Sequence, residues 1–159
     1  MLQRIQSVFL FLVVVFGVLA LLFPIAEFTG DMNMLRFYLY SVEDLSPAPF
    51  GDAAFTYGRW FTLPLALGQF FIILLAFITL FQYKRRIFQI RLNLLNILLN
   101  VLLIGGIFYY ASMLETASGA TADYKIATLF PLLSVVMIFL ANHYIRKDEK
   151  LIRSANRLR

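Results

Sequence analysis

The residues best spaced for chemistry in this chain are cations near its end. Arg146, Lys150, Arg153 and Arg157 fall at i, i+4, i+7 and i+11, which stacks them as a ridge on one face of a helix. Leu151, Ala155 and Leu158 repeat at i, i+4 and i+7, flanked by Ile152, and form a narrow apolar strip. With Lys147 and Arg159, the tail 146–159 is basic and amphipathic, a composition suited to anions. Three occupants fit it. It could lie on anionic lipid as a juxtamembrane anchor, or dock as a helix on a cytoplasmic or membrane protein. The least favoured is a phosphate contact, for example with ribosomal RNA. A helix lying flat needs a bend between Asn142 and Lys147, whereas a docking helix stays straight. Glu149 can support the helix by pairing with Arg153.

A second basic group, Lys84, Arg85, Arg86 and Arg91, sits between two apolar segments. Each cation beside an anionic leaflet is worth about 1 kcal/mol of attraction, so a lipid-headgroup contact is one reading and topology alone is the other. Asn93, Asn96 and Asn100 are spaced three and four apart, on one face of a helix. An amide facing hydrocarbon is costly, so this face should hydrogen-bond across to another helix; a polar cavity or a contact with a second subunit would also satisfy it.

The remaining polar residues close off most reactions. His143 is the only histidine and there is no cysteine, so a bis-histidine haem site, a zinc site or a redox dithiol cannot be assembled from this chain alone. The carboxylates Glu43-Asp44 and Asp148-Glu149 are adjacent pairs, read as solvated. No Gly-x-Ser-x-Gly elbow, Gly-x-Gly-x-x-Gly turn or phosphate-cradling Gly-x-x-x-x-Gly-Lys occurs. No catalytic residue, metal or cofactor is expected.

The elements that position these residues follow from hydropathy. Hydrophobic residues make up 61% of the chain and charged residues 14%, too apolar for a soluble domain of this size. Four segments are long enough to span a bilayer, about 8–26, 61–83, 92–113 and 126–145. The first is longer than the apolar core of a cleaved signal and lacks a small-x-small site after it. Orientation comes from the cations. Arg4, the 84–91 group and the basic tail lie on one side; only Arg36, Arg59 and Lys125 lie on the other, with Glu27, Asp31, Glu43, Asp44, Asp52, Glu115 and Asp123. Both termini are therefore expected in the cytoplasm.

The outer loop, 27–60, carries Phe28, Phe37, Tyr38, Tyr40, Phe50, Phe55, Tyr57 and Trp60, an interfacial aromatic belt or a platform for a partner or lipophilic ligand. Within it, 35–40 alternates weakly, as a short strand or a half-inserted helical turn would. The segment 115–123 reads as a featureless polar turn. Gly17, Gly105 and Gly106 are read as packing positions. No span holds a central Asp, Glu, Lys or Arg, which argues against proton relays, coupled ion pathways and the small multidrug exporters with their embedded glutamate.

Gln3-Arg4-Ile5-Gln6 and the run from Lys147 to Arg159 resemble a domain-of-unknown-function family of small four-span bacterial membrane proteins. The resemblance covers essentially the full length and implies an inner-membrane location with no assigned activity. Asn156 stands where an acid is expected in the family's ending. The expected fold is an all-α, four-helix transmembrane bundle over 1–145 with a protruding basic tail over 146–159. The expected role is a non-catalytic accessory or assembly subunit of a larger inner-membrane complex, in contact with membrane lipids and a protein partner. The alternative is a binding protein or carrier for a lipid or quinone, held between the aromatic outer loop and the amide face.

Overall fold

A computed structural model describes residues 3–30, 34–45, 60–82 and 85–157, with side chains described over 5–30, 34–45, 60–82 and 85–150. Four helices dominate it: α1 (Gln3–Leu22), α2 (Leu63–Phe81), α3 (Arg86–Ser118) and α4 (Phe130–Arg157). Each contains a window long and apolar enough to cross a membrane, so this is a multi-pass membrane protein. Helix α1 packs against α2 and α4, and α3 against α2 and α4, giving a square of neighbours.

Buried positions recur every three and four residues on all four helices. They are Gln6, Leu10, Val13, Gly17 and Ala20 on α1, and Leu65, Gln69, Ile72, Ala76 and Thr79 on α2. On α3 they run Gln89, Asn93, Asn96, Asn100, Leu103 and Ile107, and on α4 Ser134, Ile138, Ala141 and Ile145. A mean spacing near 3.5 keeps one narrow seam inward, as in left-handed coiled bundles. Gly17 lets α1 and α2 approach closely, since a Cβ there would stand 2.7 Å from Ile73 Cγ1. Gly106 does the same for Leu65 of α2, at 2.8 Å, while Gly105 meets nothing within 4 Å.

The helix ends differ from the sequence expectation where backbone chemistry intervenes. Helix α1 stops at Leu22, because Pro24 cannot continue a helix, and the span expected to reach residue 26 instead turns over 23–25 and enters a strand at Ala26. Helix α3 begins at Arg86, inside the stretch expected to be a loop. No Gly or Pro opposes helix there, and Arg, Gln and Leu are good helix formers. Helix α3 ends at Gly119, whose φ of 65° supplies the left-handed cap that donates to Glu115 O at 3.0 Å.

The expectation of an all-α chain is corrected by a four-stranded antiparallel sheet at one end of the bundle. Strands β1 (Ala26–Thr29), β2 (Met34–Phe37), β3 (Val42–Asp44) and β4 (Thr121–Tyr124) are ordered β3-β2-β1-β4. The supposedly featureless 115–123 turn thus supplies the last turn of α3 and most of β4, which pairs Glu27 with Asp123. The strands are short, but between them they satisfy backbone groups at the rim of the membrane, where unpaired N–H and C=O are expensive.

The sheet is two-faced. Ala26, Phe28, Leu35 and Phe37 are fully buried and join Leu65, Leu103, Ile107 and Leu114 in the main apolar core. Of the outer-loop aromatics, Phe28 and Phe37 are therefore core, Tyr40 and Trp60 are exposed, and Phe50, Phe55 and Tyr57 lie outside the described residues. On the other face the register lines up Glu43, Arg36, Glu27 and Asp123 across all four strands. Arg36 Nε donates to Glu27 Oε1 at 2.8 Å, and Lys125 Nζ reaches Glu27 Oε2 at 2.9 Å and Asp123 Oδ2 at 2.7 Å. The hydrogen bond from Lys125, then that from Arg36, hold the Glu27 carboxyl below its ordinary range.

Because β1 follows α1 and β4 follows α3, the C-terminal ends of those helices share the sheet end. Rings of Phe9 and Tyr144 stack at 5.6 Å, and those of Phe16 and Phe130 at 6.0 Å, so α1 and α4 are antiparallel. The start of α1 and the end of α4 accordingly lie together at the opposite end, here the terminal end.

Candidate functional site

Away from the sheet, the polar groups form two assemblies, one inside the bundle and one on its terminal rim. Inside, the seam of α3 changes character along its length. Its first four buried positions are amides, Gln89, Asn93, Asn96 and Asn100, at 3%, 0%, 0% and 1% exposure, and the next are aliphatic. Asn93 Nδ2 donates to Asn142 Oδ1 on α4 at 2.8 Å, and Asn96 Nδ2 to the Ile72 carbonyl on α2 at 3.1 Å. Asn100 Nδ2 donates back to Asn96 Oδ1 at 2.8 Å. Gln89 Nε2 reaches the Thr79 carbonyl at 3.1 Å, and Gln69 Nε2 the Gly17 carbonyl at 3.0 Å. Asn93 and Asn96 thus bond across to neighbouring helices, whereas Asn100 bonds only to Asn96 on its own helix.

The network is lopsided. Every amide N–H₂ named above has an acceptor, but Gln69 Oε1, Gln89 Oε1, Asn93 Oδ1 and Asn100 Oδ1 have no donor among the described residues. One helical turn from the Asn96–Ile72 contact toward the sheet places Asn100 level with Gln69, which is bonded to Gly17. That polar layer lies between an apolar cluster of Val13, Ala76 and Ile138 and the main core. Chemically it offers acceptors without charge, and it is closed from the sheet end by Leu65 and Leu103.

On the rim, α4 runs without a break from Phe130 to Arg157, a length of about 42 Å at ~1.5 Å per residue. The bend required of a flat-lying tail does not occur between Asn142 and Lys147. Arg86, the first residue of α3, meets Asp148 on α4, Nη2 to Oδ2, at 2.9 Å. Asp148 was expected to be solvated with Glu149; instead its side chain is 14% exposed, because the antiparallel packing of α3 and α4 brings it over the start of α3. Exposed Arg146, Lys147 and Lys150 line a groove with His143 and Glu149. A second groove is lined by Arg85, Arg86, Ile87, Phe88, Arg91 and Glu149. Glu149 borders both, which joins the two expected basic groups into one surface at the terminal end.

Several predicted site residues stand elsewhere. Lys84, Leu158 and Arg159 lie outside the described residues. Leu151, Arg153, Ala155 and Arg157 have helical backbone, but their side chains lie outside the described set, and so does the expected Glu149–Arg153 pair. Sequence reasoning missed Gln89, placed in a loop though it extends the Asn93–Asn96–Asn100 spacing by one step of four. It also missed Asp148, whose only signal was an acid amid cations.

No curated protein matches this chain. A family model does match residues 2–158, nearly the whole chain including both the amide seam and the basic rim, and on that match the chain belongs to the family described as Domain of unknown function (DUF4293).

Proposed function

We propose that this protein is a non-catalytic accessory or assembly subunit of a larger bacterial inner-membrane complex, docking through the basic extension of α4. The observation that carries this reading is the continuity of α4 through Arg157, braced at the Arg86–Asp148 contact. A helix held in this way presents Arg146, Lys147 and Lys150 on a fixed scaffold, so little side-chain and backbone freedom is lost when an acidic partner surface binds. The positive-inside rule supports placing this end, and both termini, in the cytoplasm. The bundle then serves as the anchor and the extension as the reader of the partner.

The test is mild-detergent affinity purification followed by mass spectrometry of proteins and lipids, on the full chain and on a variant truncated after Tyr144. Loss of one stoichiometric partner from the truncated variant, with the bundle still folded by circular dichroism, is the expected result. A full-length protein that purifies alone with a bound lipophilic molecule would overturn it in favour of a carrier.

A further inference from the structure

The groove at the start of α3 has a composition that the docking reading does not use. It encloses about 470 Å³ and combines guanidinium groups with exposed hydrocarbon: Arg85 and Arg91 are exposed, and Ile87 and Phe88 are 54% and 45% exposed. Arg86 is held from α4 by Asp148. Helix α3, 33 residues long, has no acidic residue in its first turn and no side chain capping its N-terminus. Its positive end thus adds to the field of the three arginines. Counting Glu149 and Asp148 against them, cations still prevail by three to two.

We infer that this groove is a binding site for the headgroup of an anionic phospholipid, with the phosphate on Arg85 and Arg91 and the acyl chains against Ile87 and Phe88. Guanidinium forks match phosphate oxygens in pairs. A soluble phosphate would leave Ile87 and Phe88 in water, whereas an amphiphile covers both kinds of surface. The height is right as well. Helix α2 ends at Phe81 and α3 starts at Arg86, so the groove lies where the hairpin leaves the hydrocarbon, at the level of lipid phosphates. Basic pockets between spans on the cytoplasmic side are the usual form of such sites. The inference does not depend on α4 docking a protein.

The full-length protein in neutral detergent is the material for the test. Retained lipid is counted by native mass spectrometry after equilibration with equal amounts of phosphatidylglycerol and phosphatidylcholine, and Tm is followed as each lipid, or inorganic phosphate, is added. Phosphatidylglycerol should be retained at least five-fold over phosphatidylcholine and should raise Tm. The double variant Arg85→Gln/Arg91→Gln should lose that preference while keeping its Tm in detergent alone, since both side chains are exposed. Equal retention of the two lipids overturns the proposal, as does a preference unchanged in the double variant. A Tm rise from inorganic phosphate matching that from phosphatidylglycerol overturns the lipid assignment. A preference abolished instead by Arg146→Gln/Lys147→Gln would place the lipid on α4 and also overturn it.

Discussion

Arg86 Nη2 stands 2.9 Å from Asp148 Oδ2, with the two side chains 17% and 14% exposed. This single contact ties the first residue of α3 to the charged stretch of α4, and it places an acid at the positive end of the α3 dipole. Asp148→Asn should loosen the extension and cost about 1 kcal/mol. Limited proteolysis should then cut after Lys147 or Lys150 faster than in the parent, with the bundle intact. Cleavage at the parent rate would show that helix α4 is held by something other than this pair.

The buried amides separate into those whose loss strands a partner and those whose loss does not. Asn142→Leu leaves the Asn93 N–H₂ without its acceptor and should destabilise by about 1–2 kcal/mol. Gln89→Leu removes an oxygen that already lacks a donor, and the Thr79 carbonyl it leaves keeps the Gln82 N–H at 3.2 Å, so this change should be neutral or slightly stabilising. Thermal unfolding in detergent decides it. A loss above about 1 kcal/mol for Gln89→Leu would mean that its oxygen is satisfied in the working protein. The coupling between Asn93 and Asn142, from a double-mutant cycle, should fall in the range of about 0.6–1.7 kcal/mol found for interhelical bonds in membranes.

Close approach of α1 and α2 rests on one missing Cβ. Gly17→Val would place atoms inside contact distance of Ile73 Cγ1 and Gln69 Nε2 and should cost about 1–3 kcal/mol by overpacking. Gly105→Val, in open space on α3, serves as the control and should leave Tm within a degree or two of the parent. Equal effects of the two changes would contradict the close contact.

Acid should weaken the sheet. Glu27 is held below its ordinary range by Lys125 and Arg36. A depressed carboxyl adds stability that is complete above the unfolded value and is lost as pH falls through the lower folded value. The contribution should therefore persist at neutral pH and disappear below the ordinary glutamate range. Glu27→Gln should flatten this acid limb of the Tm–pH curve. At the alkaline end Lys125, raised by Asp123 and then Glu27, acts in the opposite sense: its contribution is present below the ordinary lysine range and lost as pH rises through the higher folded value.

How much of this was legible in the residues differs from element to element. Hydropathy alone located four spans, since about 20 apolar residues in a row have few other uses. The three- and four-residue spacing of Asn93, Asn96 and Asn100 declared one shared face before any neighbour was known. What it could not declare was which helix stood opposite, because that depends on the square arrangement and on Gly17 setting the α1–α2 distance.

The Arg86–Asp148 contact and most of the sheet belong to the tertiary structure. Of the strands only β2 was foreshadowed, by the weak alternation over 35–40 that a helical turn would also have fitted; the others are too short to read, and β4 pairs with β1 only because folding brings the end of α3 beside the end of α1. Asp148 looked solvated because a helix in isolation exposes it; packed antiparallel on α3, it lies over another helix's first residue. By itself the sequence determined that the chain crosses a membrane and where its cations gather, since both follow from local composition. The tertiary structure decided that, among the described residues, Arg86 is tied to Asp148 while Arg85, Arg91, Arg146, Lys147 and Lys150 stand exposed, because ion pairing and burial depend on distances between segments far apart in the chain.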